Sequence, residues 1–201
     1  MDQKTIDTYN ELAREYDEET ADFWDRFPQT FINKFIGLAR GTVLDVGSGP
    51  GRDGLILQKH GFSVTCLDAS KAMIALSKGK GLASVVGDFN AIPFPKASFD
   101  NAWAYTSLLH VPKSDIDQPL SEIRRVVRPR GYFALGLIEG DTELYRESSG
   151  VGKPRWFSFY KKEEIEKLLH AHGFETVYSE SFMSGSKKYL NFIARKISVI
   201  K

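Results

Sequence analysis

A short apolar run, Thr42-Val43-Leu44-Asp45-Val46, stops at Gly47 and passes into Ser48-Gly49-Pro50-Gly51. No other stretch constrains the fold as much. A brief apolar run closed by glycine reads as a buried parallel strand. The glycines let backbone approach a ligand closely, and a helix starting after them presents unpaired N–H groups. Asp45, at the C-terminal end of the run, adds a charge condition: a carboxylate there repels a pyrophosphate and favours an ammonium or sulfonium group. Gly49-Pro50-Gly51-Arg52-Asp53-Gly54 also satisfies G-x-G-x-x-G, but two residues late, so NAD binding stays a disfavoured rival. No G-x-x-x-x-G-K-[ST] phosphate loop occurs.

From residue 41 to 137 the pattern repeats as apolar run, turn, helix, apolar run. A helix over about 51–60 ends at His60-Gly61-Phe62, and residues 63–67 read as a second strand. Residues 70–77 form a helix carrying Met73, Ile74 and Leu76; 83–86, 99–105 and 132–138 are three further strands. The helix before the fifth strand carries Ile123, Val126 and Val127 and closes at Pro129-Arg130-Gly131. Such alternation implies an α/β fold, a doubly wound parallel sheet with helices on both faces. The tail departs from it. After a helix over 161–171 come two strands, about 174–181 and 189–196, linked too briefly for a parallel crossover, so they pair antiparallel.

With 201 residues the chain suits a single domain. Hydrophobic residues at 42% and charged residues at 26% argue against disorder, and no apolar run is long enough for a membrane span. The lone cysteine, Cys66, and the absence of an apolar leader point to the cytoplasm. A net charge of +1 disfavours nucleic acid as a partner. The charge is uneven: 10 acidic and 5 basic side chains in residues 1–50, against 10 and 15 in residues 121–201.

Asp45-Val46-Gly47-Ser48-Gly49-Pro50-Gly51 resembles the D-x-G-x-G-x-G motif of class I S-adenosylmethionine (SAM)-dependent methyltransferases of the small-molecule type, similar to those of quinone biosynthesis. The resemblance covers residues 43–137 most strongly. It implies a Rossmann-like seven-stranded sheet of order 3-2-1-4-5-7-6 with the last hairpin antiparallel, and SAM as cofactor. It implies cofactor contacts at Asp45, Gly47, Ser48, Gly49, Gly51, Arg52, Asp68, Ala69, Met73, Asp88, Phe89 and Tyr105. Among these, Asp68 would take the ribose hydroxyls, Asp88 the adenine amino group, and Phe89 the adenine ring. An Asp after the second strand serves NAD equally well, so Asp68 alone does not choose the nucleoside. Three carboxylates after three successive strands, all on the edge where open parallel sheets bind ligands, favour SAM.

The acceptor side is less legible. Tyr9-Asn10-Glu11-Leu12-Ala13-Arg14-Glu15-Tyr16-Asp17 resembles the family's Y-x-x-x-A-x-x-Y-D lid helix, and a seven-residue spacing puts Tyr9 and Tyr16 on one face. Residues 1–38 are accordingly expected to form lid helices and residues 41–201 the catalytic core. His110 follows the fourth strand and is the one histidine so placed; with Tyr9 and Tyr16 it is a catalytic candidate. His170 and His172 point to different faces of their helix, so no metal site is expected. Residues 139–160 exceed a usual connection, and are expected to shape an acceptor pocket using Glu139, Arg155, Trp156 and Tyr160. The expected function is methyl transfer to a small molecule. The rivals are a tRNA wobble-uridine carboxymethyl-type methyltransferase, faintly similar at residues 154–160, and a non-catalytic SAM-binding partner subunit. The acceptor and oligomeric state are not encoded legibly.

Overall fold

In a computed structural model, residues 2–147 and 152–197 are described. Helices α1 (Gln3–Glu11), α2 (Ala13–Glu19) and α3 (Thr30–Leu38) precede a regular alternation. It runs through β1 (Thr42–Val46), α4 (Arg52–Lys59), β2 (Ser63–Asp68), α5 (Lys71–Gly79), β3 (Ala83–Val86) and β4 (Asn101–Tyr105), then α6 (Asp117–Val126) and β5 (Tyr132–Ile138). The chain continues through β6 (Glu143–Glu147), β7 (Pro154–Ser158), α7 (Lys162–Ala171), β8 (Phe174–Ser184) and β9 (Lys187–Lys196).

The main sheet has seven strands in the order β3-β2-β1-β4-β5-β9-β8, parallel from β3 to β5 and antiparallel through β9 and β8. This is the expected order, with β8 and β9 taking the sixth and seventh places. The difference lies between residues 139 and 160, where β6 and β7 pair as a separate antiparallel ribbon. Every residue of β6 is exposed, so it lacks the inside–outside alternation by which strands are recognised in sequence. The connection between β6 and β7 lies outside the described residues over 148–151.

β4 is buried along its whole length, and the core on one face joins Trp103 to Phe31 and Phe35 of α3. Register keeps the C-terminal ends of the central strands level, with Asp45 beside Cys66 and Trp103, and Asp68 beside Val86. The carboxylates of β1 and β2 therefore emerge at one edge. The N-terminal helices strap that edge. Trp156 N–H donates to Thr5 Oγ1 at 2.9 Å, Ser70 Oγ donates to Asn10 Oδ1 at 2.9 Å, and Lys80 Nζ meets Asp17 at 2.6 Å. The expected single lid helix is broken at Leu12, whose φ of −110° and ψ of 26° leave the helical region. Tyr9 and Tyr16 thus sit on two successive helices, yet their rings still meet edge to face at 5.3 Å.

Candidate active site

Two adjoining chambers open at the C-terminal edge of the sheet. The first is lined by the β1–α4 loop, Asp68, Met73, Phe89, Tyr105 and, from the N-terminal helices, Tyr9 and Tyr16. Gly47 must be glycine: its φ is +69°, and a Cβ would lie 2.4 Å from Ser107 Cβ. Gly49 also has a positive φ, +54°, but a Cβ there would meet only Tyr16, at 3.9 Å, so the loop leaves open space towards the chamber. Its N–H donates to Asp68 Oδ2 at 2.9 Å while Ser70 N–H donates to Oδ1 at 2.8 Å, fixing that carboxylate against the loop.

The first chamber is rich in carboxylates. Asp45 is 2% exposed and its Oδ2 has no hydrogen-bond partner. Burial pushes its pKa well above the ordinary range, Asp53 and Asp68 add to the rise, and Arg52 opposes it. Burial also raises Asp68, against hydrogen bonds from Ser70, Gly49 and Ala69 N–H. Asp53 binds Arg52 Nε, Trp24 Nε1 and Trp103 Nε1, each at 2.8 Å, and Arg52 lies 4.0 Å over the Phe23 ring. With Arg52 engaged by Asp53, an unbonded buried carboxylate oxygen beside two further carboxylates calls for a cationic ligand group.

The second chamber lies on the other side of Tyr9, Tyr16, Thr106 and His110, which line both. Its walls are aromatic, with Phe23, Phe27, Phe157 and Tyr189, and it carries Arg155 and Lys187. A hydrogen-bond chain crosses the shared wall. Arg155 donates to the Tyr9 hydroxyl at 2.7 Å, and Tyr9 stands 2.8 Å from His110 Nε2. His110 Nδ1 is 2.5 Å from the Trp156 carbonyl, which can only accept, so Nδ1 carries the proton and Nε2 accepts from Tyr9. Burial, helped by Arg155, pushes the His110 pKa down to about 3, so the imidazole is neutral at physiological pH. Burial raises that of Tyr9, which stays a phenol.

Residues 44–135 match the family model described as a methyltransferase domain. Over this stretch the chain is similar to SAM-dependent methyltransferases. It is 31% identical over 166 residues to a malonyl-[acyl-carrier protein] O-methyltransferase of Salmonella typhimurium, covering 80% of this chain and 65% of that protein. Across the first four curated relatives, the chain spans between 37% and 65% of their length. A Burkholderia thailandensis 1,6-didemethyltoxoflavin-N1-methyltransferase, solved with S-adenosylhomocysteine and its acceptor, has a similar fold. Its TM-score is 0.72 at 22% identity, over 96% of this chain and 88% of that one. A SAM-dependent methyltransferase of Methanosarcina mazei gives 0.73 at 21% identity, over 83% and 96%.

The residues present fit the methyltransferase cofactor. SAM carries a sulfonium and an ammonium, which the carboxylate-rich first chamber suits, whereas two phosphates of a dinucleotide would be repelled. Asp45, Gly47, Ser48, Gly49, Arg52, Asp68, Met73, Phe89 and Tyr105 line this chamber together. Gly51 caps α4 in left-handed conformation just behind it. Ala69 and Asp88 do not line it: Ala69 contributes its N–H to Asp68, and Asp88 Oδ1 accepts from Asn90 N–H at 2.8 Å.

On the acceptor side the period-two pleat sorts the residues of β7. Arg155 and Phe157 face the second chamber, so Trp156 is turned to the opposite face, edge to face with Tyr145. Trp156 reaches the site only through its carbonyl. Tyr160 lines a separate apolar pocket with Leu108 and Ile116, and Glu139 pairs with Lys188 at 3.0 Å outside both chambers. Of the residues expected on the acceptor side, Arg155 lines the second chamber, and the side chains of Glu139, Trp156 and Tyr160 do not. Sequence reasoning overlooked Asp53 and Lys187, whereas Thr106 lies in the stretch after the fourth strand expected to line the transfer site. Asp53 had a signal, because two buried indole N–H groups need an acceptor; Lys187 had none.

Among the described residues no His, Cys, Asp or Glu group could hold a metal ion, and no helix is long and apolar enough to cross a membrane.

Proposed function

We propose that this chain transfers the methyl group of SAM to a small-molecule acceptor held in the second chamber. The observation that carries the reading is the shared wall: Tyr9, Tyr16, Thr106 and His110 border both chambers, so an acceptor can meet the cofactor without crossing solvent. Bound in the first chamber, SAM supplies an electrophilic methyl on a sulfonium. The chain's own part is to bind and align: Asp45 and Asp68 provide carboxyl contacts, and the lid tyrosines exclude water. Positioning and water exclusion of this kind supply much of the acceleration in such a displacement. His110, with both ring nitrogens engaged, holds Tyr9 and Trp156 in place, a positioning role for the predicted catalytic group.

Residues 1–38 act as the lid and 139–160 as the acceptor-side segment of one domain, and the buried free Cys66 suits a reducing cytoplasm. A partner subunit without an acceptor would have no use for the second chamber. Two of the arginines an RNA surface would use are engaged within the fold: Arg125 by Glu122 and two carbonyls, and Arg128 by Asp100. The test is transfer of labelled methyl from SAM into metabolite and tRNA pools, with thermal shifts by SAM, S-adenosylhomocysteine and NAD. Label in small molecules and a shift by the first two ligands alone supports the reading. Label confined to tRNA, or an equal shift by NAD, refutes it.

A further inference from the structure

Arg155 of β7 and Lys187 of β9 share the wall of the second chamber, where the one further cation among the described residues, Arg26, is paired with Asp22. Arg146 on β6 and Arg155 on β7 are register partners, directly opposite each other across the ribbon. Like charges so placed repel. Lys187, at the start of β9, joins Arg155 in the chamber wall, so a third positive charge is added where two already repel. Burial lowers the Lys187 pKa, and Arg146 and Arg155 lower it further. Neither Arg146 nor Lys187 has an ion pair or hydrogen bond through its charged end among the described residues. The acid in the chamber wall, Glu19, is exposed on the lid side. A lone ammonium, half-buried and uncompensated, is a cost the fold carries without any structural return.

The rest of the chamber wall is largely apolar and aromatic. Arg155 itself lies over the rings of Tyr9 and Phe157 at 5.0 and 5.4 Å, which fixes its guanidinium at the border with the cofactor chamber. Such a chamber suits a molecule with a flat or apolar body and one anionic end. His110 is no free base there, since its Nε2 is occupied by Tyr9, so an acceptor already ionised at neutral pH is best matched.

We propose that the acceptor is an apolar molecule bearing a carboxylate, and that Arg155 and Lys187 bind that carboxylate. The proposal rests on the methyltransferase reading and adds the chemical class of the acceptor. The test uses the full chain saturated with S-adenosylhomocysteine, and reads binding of matched pairs by ligand-observed NMR: benzoate with benzamide, phenylacetate with phenylacetamide, octanoate with octanamide. At least one acid should bind roughly tenfold or more tightly than its amide, the scale of a charge-assisted contact. That preference should vanish in Lys187→Met and persist in Lys188→Met, whose lysine pairs with Glu139 outside the chamber. S-adenosylhomocysteine affinity should be the same in all three proteins. Equal binding of acids and amides, or a preference untouched by Lys187→Met, overturns the proposal. So does phenyl phosphate displacing the acids at lower concentration, which would assign the cations to a phosphoryl group. Failure of S-adenosylhomocysteine to bind at all would instead strike the cofactor reading.

Discussion

Replacing Asp53 should cost more stability than replacing any other charged residue at the site. Its two oxygens accept from Trp24 Nε1, Trp103 Nε1 and Arg52 Nε, and its side chain is almost fully buried. In Asp53→Ala both indole donors lose their partner inside the core, at about 1–3 kcal/mol each. Arg52, whose side chain is only 16% exposed, loses its counter-charge as well. Against this, removing Asp53 relieves Asp45 of a repelling neighbour. The net loss should be about 3–5 kcal/mol, a large share of the roughly 5–15 kcal/mol that holds an ordinary domain. Asp53→Asn separates the hydrogen-bond account from a purely electrostatic one. Its carbonyl serves one indole, but its NH₂ faces the N–H of the other, so it should recover only about 1 kcal/mol of the loss. Urea unfolding followed by tryptophan fluorescence suits the question, because Trp24 and Trp103 are two of the three tryptophans and report at the site itself. The midpoint should fall with an unchanged slope. A loss below about 1 kcal/mol in Asp53→Ala, or full recovery in Asp53→Asn, would refute the view that this carboxylate fastens the N-terminal segment to the sheet.

Two further outcomes follow from the buried titrating groups. The raised pKa of Asp45 means the native state holds a proton that the unfolded chain releases, so this group's contribution to stability falls as pH rises through the raised value. Asp45→Asn should therefore stabilise the ligand-free protein at neutral pH while weakening SAM binding; melting curves showing a less stable variant across the pH range would contradict this. His110 is the reverse case: with its pKa pushed down to about 3, its contribution is intact above the ordinary value of 6.5 and is lost as pH falls towards 3. His110→Asn should escape about 2 kcal/mol of the destabilisation that the native protein suffers between pH 7 and pH 5, and equal losses in urea titrations of both proteins would count against a neutral buried imidazole.

The sequence by itself determined the first chamber, proposed for the cofactor. A strand that must end in glycine, a helix that must begin just after it, and carboxylates at the ends of successive strands are local facts, written in residues close together in the chain. Asp45, Gly47, Gly49 and Asp68 could be placed because strand register leaves them no other edge. The antiparallel ending was equally legible, since a short link forbids a crossover. The second chamber, proposed for the acceptor, was decided largely by tertiary structure. β6 has no buried face and so leaves no pattern, and without it the direction of each β7 side chain is undefined: Arg155 was foreseen, but so was Trp156, which the pleat turns away. Lys187 reaches Arg155 only because the terminal hairpin folds beside β5 and the inserted ribbon folds over the same edge. Contacts between residues distant in the chain depend on where whole elements dock, and docking is set by packing that no single stretch of sequence contains.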